Sequence, residues 1–124
     1  MADARADRGL RSHLSGEAAE AAVTGIYLDR GAKLLDTRWR GQGGEIDLIF
    51  ADQGVVVFCE VKKAGSFEEA AARLRPAQMR RIHAAASEYL ARLPNGQLTE
   101  LRFDLAMVDG RGEVRIAENA FGHF

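Results

Sequence analysis

A chain of 124 residues, 47% apolar and 28% charged, is long enough for one domain with its own core and too apolar for a disordered chain. No apolar run nears the roughly 20 residues that cross a bilayer, and the charged opening "MADARADRGLRSHLSG" lacks a signal peptide's apolar segment. A single cysteine, Cys59, excludes an internal disulfide and fits a cytoplasmic protein, while a formal net charge of -1 provides no global attraction to nucleic acid.

Residues 1 to about 12 are polar and are expected to form a flexible tail, leaving 13–124 as a single domain. A helix is predicted over residues 14–30, where Ala19, Val23, Ile26 and Tyr27 fall on one face. Ser15 suits its N-cap and Gly31 its stop, while Gly25 weakens it by about 1 kcal/mol relative to Ala. Glu20 lies at the edge of the apolar face, one turn from Thr24 and two from Tyr27. "AKLLDTRWR" predicts a first strand, and "GQGG" frees the chain to reverse. "EIDLIF" and "VVVFCEVK", joined around "ADQG", are apolar on both faces, as strands covered on each side by helices are. Residues 67–75 suit a short helical segment. Pro76 suits the first position of a helix reaching about residue 93, with Ile82, Ala86, Tyr89 and Leu93 inward. "LRFDLAMV" alternates as a fourth strand, and "EVRIAENAF" reads as a short final strand or tail. This order predicts an α/β domain, a mixed sheet between helices.

Three ionisable groups interrupt the apolar hairpin "GGEIDLIFADQGVVVFCEVKK": Asp47, Glu60 and Lys62. Side chains two apart share a strand face, so Glu60 and Lys62 point together and Val61 points away. A two-residue turn at Gln53-Gly54 sets Asp47 opposite Glu60. A four-residue turn over 51–54 keeps the two on one face, and a three-residue turn separates them. Adjacent carboxylates repel unless a cation lies between them. A hard divalent ion, Mg²⁺ or Mn²⁺, takes such oxygen ligands, lowers the pKa of bound water and stabilises charge on a phosphoryl oxygen. Lys62 beside it could orient the attacking water or balance charge on the phosphate. The plainer alternative is a surface salt bridge at the end of a sheet.

These pieces together resemble the PD-(D/E)XK nuclease superfamily, and more closely the YraN-type bacterial proteins, predicted endonucleases similar to archaeal Holliday junction resolvases. The resemblance runs over residues 16–121 and rests on "AAEAAVTGIYLDRG", "RWRGQGGEIDLI", "VFCEVK", "RFDLAMV" and "ENAF". It implies a restriction-endonuclease-like, three-layer α/β/α fold with a mixed central sheet. It also implies a metal-dependent endonuclease acting on structured or branched DNA, with a homodimer as the assembly to expect. Asp47 and Glu60 match the metal-binding acids, Lys62 the motif lysine and Glu20 the first-helix glutamate, and the carbonyl of Val61 could join the metal. Two departures stand out: Lys63-Ala64 follows the motif lysine, and Gln78-Met79 replaces the usual lysine-glutamine pair. A catalytically inactive DNA-binding or protein-interaction module on the same fold is the alternative.

Nucleic-acid contacts are expected from Arg38, Trp39, Arg40, Lys63, Gln78, Arg80 and Arg81, within a basic set that also includes Arg73 and Arg75. "GQGG" could meet a sugar-phosphate backbone and Trp39 stack on a base, or the loop is a flexible hairpin with a core tryptophan. Cys59 is expected in the core, and His13, His83 and His123 at the surface. Asp104 most simply pairs with Arg102 or caps a neighbour, and Asn119 and Phe121 tie down the tail.

Overall fold

Ala19, Val23 and Tyr27, four residues apart, form the buried stripe of helix α1 (Ala4–Asp29), while Ile26 beside them is only half buried. The computed structural model describes the backbone of residues 4–122 and the side chains of residues 16–122. The helix starts before the predicted residue 14, so Ser15 lies within it and does not cap it. The tail expected over residues 1–12, together with His13 and His123, therefore falls outside the described side chains. Gly31 ends the helix as expected: its φ of +92° is one that side chains rarely adopt, and its N–H donates to the Leu28 carbonyl.

The strands are β1 (Lys33–Arg40), β2 (Glu45–Asp52), β3 (Val55–Lys63), β4 (Leu101–Val108) and β5 (Val114–Ala117). Between β3 and β4 lie α2 (Phe67–Ala72), α3 (Pro76–Leu90) and a 3-10 turn, Gly96–Leu98. Ser66 caps α2 by accepting the Glu69 N–H, and Pro76 opens α3, where its missing N–H costs nothing. The sheet runs in the order β1-β2-β3-β4-β5. Only β3 and β4 are parallel, as a helical crossover permits; the other pairs are antiparallel.

Both sheet faces are covered. Helix α1 packs on Leu48, Phe50, Val57 and Cys59, whereas α2 and α3 pack on Ile49, Phe58, Phe103 and Leu105. The result is the three-layer α/β/α architecture expected of a restriction-endonuclease-like fold, with a mixed open sheet.

Gln53 and Gly54 both have positive φ (51° and 84°), the backbone of a two-residue primed turn whose twist suits a hairpin. That settles the register: Asp52 pairs with Val55 and Leu48 with Cys59. One further step along the hairpin places Asp47 against Glu60.

The tail is tied down as expected. Phe121 is buried, the Asn119 N–H donates to Asp104, and the Asn119 side chain accepts from the Phe103 N–H. His83 departs from its expected surface place. Its ring stacks on Phe103 with centroids 3.9 Å apart, and its Nε2 is 2.8 Å from the Phe121 carbonyl. Periodicity cannot reveal such a contact, because the tail that covers His83 comes from the far end of the chain.

Candidate functional site

A strand keeps residues i and i+2 on one face, yet β1 and β2 break this rule at the same level. Leu48 packs under α1, while Ile46 packs under α3. Across from them, Thr37 lines the α1 side and Trp39 meets Tyr89 of α3. Arg38 lies at the break with φ of +47°, a left-handed backbone that is uncommon outside glycine. A regular strand would put Arg38 on the face of Asp36, which bonds the Tyr89 hydroxyl on the α3 side. The kink turns it towards α1 instead. Pairing of β2 with β3 ends one residue short, at Leu48, and its pairing with β1 passes from Leu48 to Ile46, so Asp47 is released from the pleat.

Asp47 uses that release to cross to β3, where its Oδ2 accepts the Val61 N–H at 2.9 Å. Glu60, at 4% exposure, is nearly enclosed. Its carboxyl is held well above the ordinary range, first by burial, then by a hydrogen bond to Asp47 and by the charge of Asp47. Lys62 opposes that shift, which puts its ammonium within electrostatic reach of Glu60. Among the described residues Lys62 makes no salt bridge. Of the three groups expected to converge, Asp47 and Glu60 are brought into contact, and Lys62 lies within electrostatic reach of Glu60.

Glu20 reaches the same region from α1 but is differently engaged. Its Oε2 lies 3.3 Å from the Arg38 guanidinium. Burial raises its pKa, Arg38 lowers it, and the charge of Asp47 raises it again. Glu20 is therefore an electrostatic neighbour of Asp47 whose carboxylate is directed at Arg38. Beside the pair opens a cleft of about 340 Å³ lined by Glu17, Glu20, Thr24, Thr37, Arg38 and Leu48. Among the described residues, no three Asp, Glu, His or Cys side chains close on one point as a protein-only metal cage does. The donor set suits a hard ion held by two carboxylates and completed by water, which is how Mg²⁺ usually binds.

With this geometry in place, similarity to other proteins becomes informative. Residues 19–108 match the model of "Uncharacterised protein family UPF0102". The chain belongs to that family, the YraN family. The UPF0102 protein of Ruegeria pomeroyi is 56% identical over 97% of this chain and 98% of its own. Relatives in Cereibacter sphaeroides (54% identical, covering 89% and 94%) and Roseobacter denitrificans (49%, covering 95% and 92%) are similarly full-length matches. The matched span of the UPF0102 model contains Glu20, Asp47, Glu60 and Lys62.

The remaining expected residues of this UPF0102 protein are dispersed. Trp39 is half buried, edge-on to Tyr89 with centroids 5.3 Å apart, and Arg92 lies over its ring. Its broad faces are thus partly used within the fold. Arg40 pairs with Glu45 at 3.2 Å. Lys63 is half buried, and its carbonyl accepts from Arg73. Gln78 is half buried near the start of α3, whereas Arg80 and Arg81 are exposed. "GQGG" is no flexible cradle. The Glu88 carboxylate accepts the N–H groups of Gln42 and Gly43 at 2.9 and 2.8 Å, and these bonds lower its pKa. Gly43 is required by contact: a Cβ there would stand 2.7 Å from the Cβ of Ala84.

Sequence reasoning missed how Asp104 is held. This fully buried acid accepts from the Tyr27 hydroxyl at 2.7 Å, from Arg102 at 3.1 Å and from the Asn119 N–H at 2.9 Å. The expected pairing with Arg102 is present, and the larger network ties α1, β4 and the tail together. Burial, with Asp104 and Cys59 nearby, raises the Tyr27 pKa, and burial does the same for Cys59. An aspartate in an apolar strand and a tyrosine on an inward helical face were the available signals. What they lacked was a way to link residues 77 apart in sequence.

Proposed function

We propose that this protein is a divalent-cation-dependent nuclease that hydrolyses phosphodiester bonds in DNA, with structured or branched DNA as the substrate class. The single observation behind this reading is Glu60: an enclosed carboxyl set against the carboxyl of Asp47, with no salt bridge to neutralise it among the described residues. Such an arrangement is costly to fold around unless a ligand relieves it. Asp47 and Glu60 would hold Mg²⁺ or Mn²⁺, which would supply an acidified water and charge stabilisation at a phosphoryl oxygen.

The chain's own residues do the rest. The Val61 N–H fixes the Asp47 carboxylate, so one acid is oriented before any ligand arrives. A residue's N–H and C=O point towards the same neighbour in an antiparallel ladder, which directs the Val61 carbonyl to the same side as Asp47. Lys62 shares the face of Glu60 and has no salt-bridge partner among the described residues. Its ammonium is available to hold the attacking water or to face charge developing on the phosphate. Arg80 and Arg81 supply exposed positive charge on α3, of the kind that meets a DNA backbone. A four-way junction presents two symmetric cleavage points, so action on it calls for two copies of the chain.

A second reading has its own support: Arg38 and Arg40 are each paired with a glutamate, which weakens the basic surface. In that reading the fold is a non-catalytic DNA-binding or protein-interaction module. Incubating linear, flapped and four-way DNA with Mg²⁺ or Mn²⁺ separates the two. Catalysis predicts cleavage that disappears in Asp47→Ala and in Lys62→Ala, with cation binding surviving only in the latter. Cleavage unchanged by Asp47→Ala would betray a contaminating nuclease. Salt-sensitive DNA binding without cleavage or cation dependence would favour the module.

A further inference from the structure

We propose that Arg38 is an exchangeable counter-ion: a substrate phosphate takes its guanidinium from Glu20, and the freed Glu20 then joins Asp47 and Glu60 around the cation. This rests on the nuclease reading and adds to it a link between substrate arrival and completion of the site.

The β1 kink is the first support. In a regular strand Arg38 would point to the α3 side with Asp36; its left-handed backbone turns it to α1 and Glu20. A non-glycine residue held there is strained, and such strain persists only where surrounding structure imposes it. The second support is an asymmetry in exposure. The Arg38 side chain is 47% exposed and that of Glu20 only 23%, so an incoming anion meets the guanidinium first. The third is the place of Glu20. It already feels the charge of Asp47, and the cleft beside the pair leaves room for its side chain to swing.

An arginine suits this exchange. Its planar fork binds a phosphate through two N–H groups at least as well as it binds a carboxylate, and it stays charged throughout. While Arg38 holds Glu20, only Asp47 and Glu60 would be free to hold the cation; once phosphate holds Arg38, Glu20 would be free to join them. Cation and DNA would then each strengthen the binding of the other, because the same exchange serves both.

The test is Mn²⁺ binding by the full chain, followed by electron paramagnetic resonance, which reads the ion independently of cleavage. Arg38→Gln frees Glu20 and should tighten Mn²⁺ binding about tenfold, as gaining one carboxylate ligand would. Arg38→Gly should do the same, and it suits the left-handed backbone, which guards against misfolding of the first variant. In a Glu20→Gln background neither change should tighten binding. A short phosphorothioate oligodeoxynucleotide, resistant to hydrolysis, should tighten Mn²⁺ binding to the natural chain and have little effect on Arg38→Gln. An equal gain with and without Glu20 would reveal only the removal of a positive charge and overturn the proposal, as would no gain at all. If Mn²⁺ binds and needs Asp47 but shows no coupling to Arg38, the exchange alone falls. If no variant binds Mn²⁺, or binding ignores Asp47→Asn, the nuclease reading falls with it.

Discussion

Asp104 and Glu60 are the two buried acids among the described residues, and they stand on neighbouring parallel strands only one step apart in register. Their surroundings are opposite. Asp104 is met by donors: a tyrosine hydroxyl, a guanidinium and a backbone N–H. Glu60 is met by Asp47, another acid, and burial together with that neighbour holds its carboxyl well above the ordinary range. A buried acid surrounded by donors fastens a fold, while one whose nearest partner is another acid is held less well and gains from a cation. The same residue class, at almost the same depth and place, thus serves architecture in one case and, in the proposed function, a site in the other.

The contrast can be broken most forcefully at Asp104. Asp104→Ala strips Arg102, Tyr27 and the Asn119 N–H of their common acceptor, and should destabilise the domain by about 3–5 kcal/mol in a denaturant titration. A loss under about 1 kcal/mol would mean that the network is incidental. Next in size is the response to cation. Mn²⁺ at about one hundred times its dissociation constant should stabilise the chain by about 2.7 kcal/mol, read as a rise in Tm. Because the ion must displace the proton held by Glu60, the rise should be larger near pH 8 than near pH 6. Asp47→Asn should abolish it.

Glu60→Gln tests the same idea with the opposite sign. The folded pKa of Glu60 lies above its unfolded value of 4.5, so the folded state keeps a proton that the unfolded state releases. The contribution of this group to stability is complete below that value and is lost as pH rises towards the raised one. Glutamine needs no proton. The metal-free variant should therefore match the natural chain in acid and exceed it by about 1 kcal/mol or more at neutral pH, because folding no longer requires uptake of that proton. A variant less stable at every pH would show that Glu60 contributes to the fold as Asp104 does.

How far this contrast was legible in sequence depended on the range of the forces involved. Local pattern was sufficient for α3, for the covered faces of β2 and β3, and for β4, whose limits coincide with "LRFDLAMV". Asp47, Glu60 and Lys62 stood out because charge is rare in such strands, and an even-numbered turn brought them to one face. The kink at Arg38 had no local signal. "TRWR" contains no glycine, and its left-handed residue is imposed by neighbouring strands and helices. Consequently the pairing of Arg38 with Glu20 was not foreseen, and neither was the Tyr27–Asp104 bond. For the same reason "GQGG" looked like freedom when its glycines answer to close contact with α3.

Glu88 sharpens the comparison at its smallest scale. Like Asp104 it is an acid held by donors, the N–H groups of Gln42 and Gly43, and its pKa is lowered accordingly. Unlike Asp104, its carboxylate stands at the surface, where water can replace any lost bond. Glu88→Ala should therefore leave Tm almost unchanged while hydrogen exchange speeds up at Gln42 and Gly43, the two amides it holds. Exchange confined to those amides would show that a matched acid outside the core fastens only its own loop. If Glu88→Ala instead melted the domain, burial would cease to be what separates Asp104 from Glu88, and the anchoring of the loop on α3 would have to rank with the core.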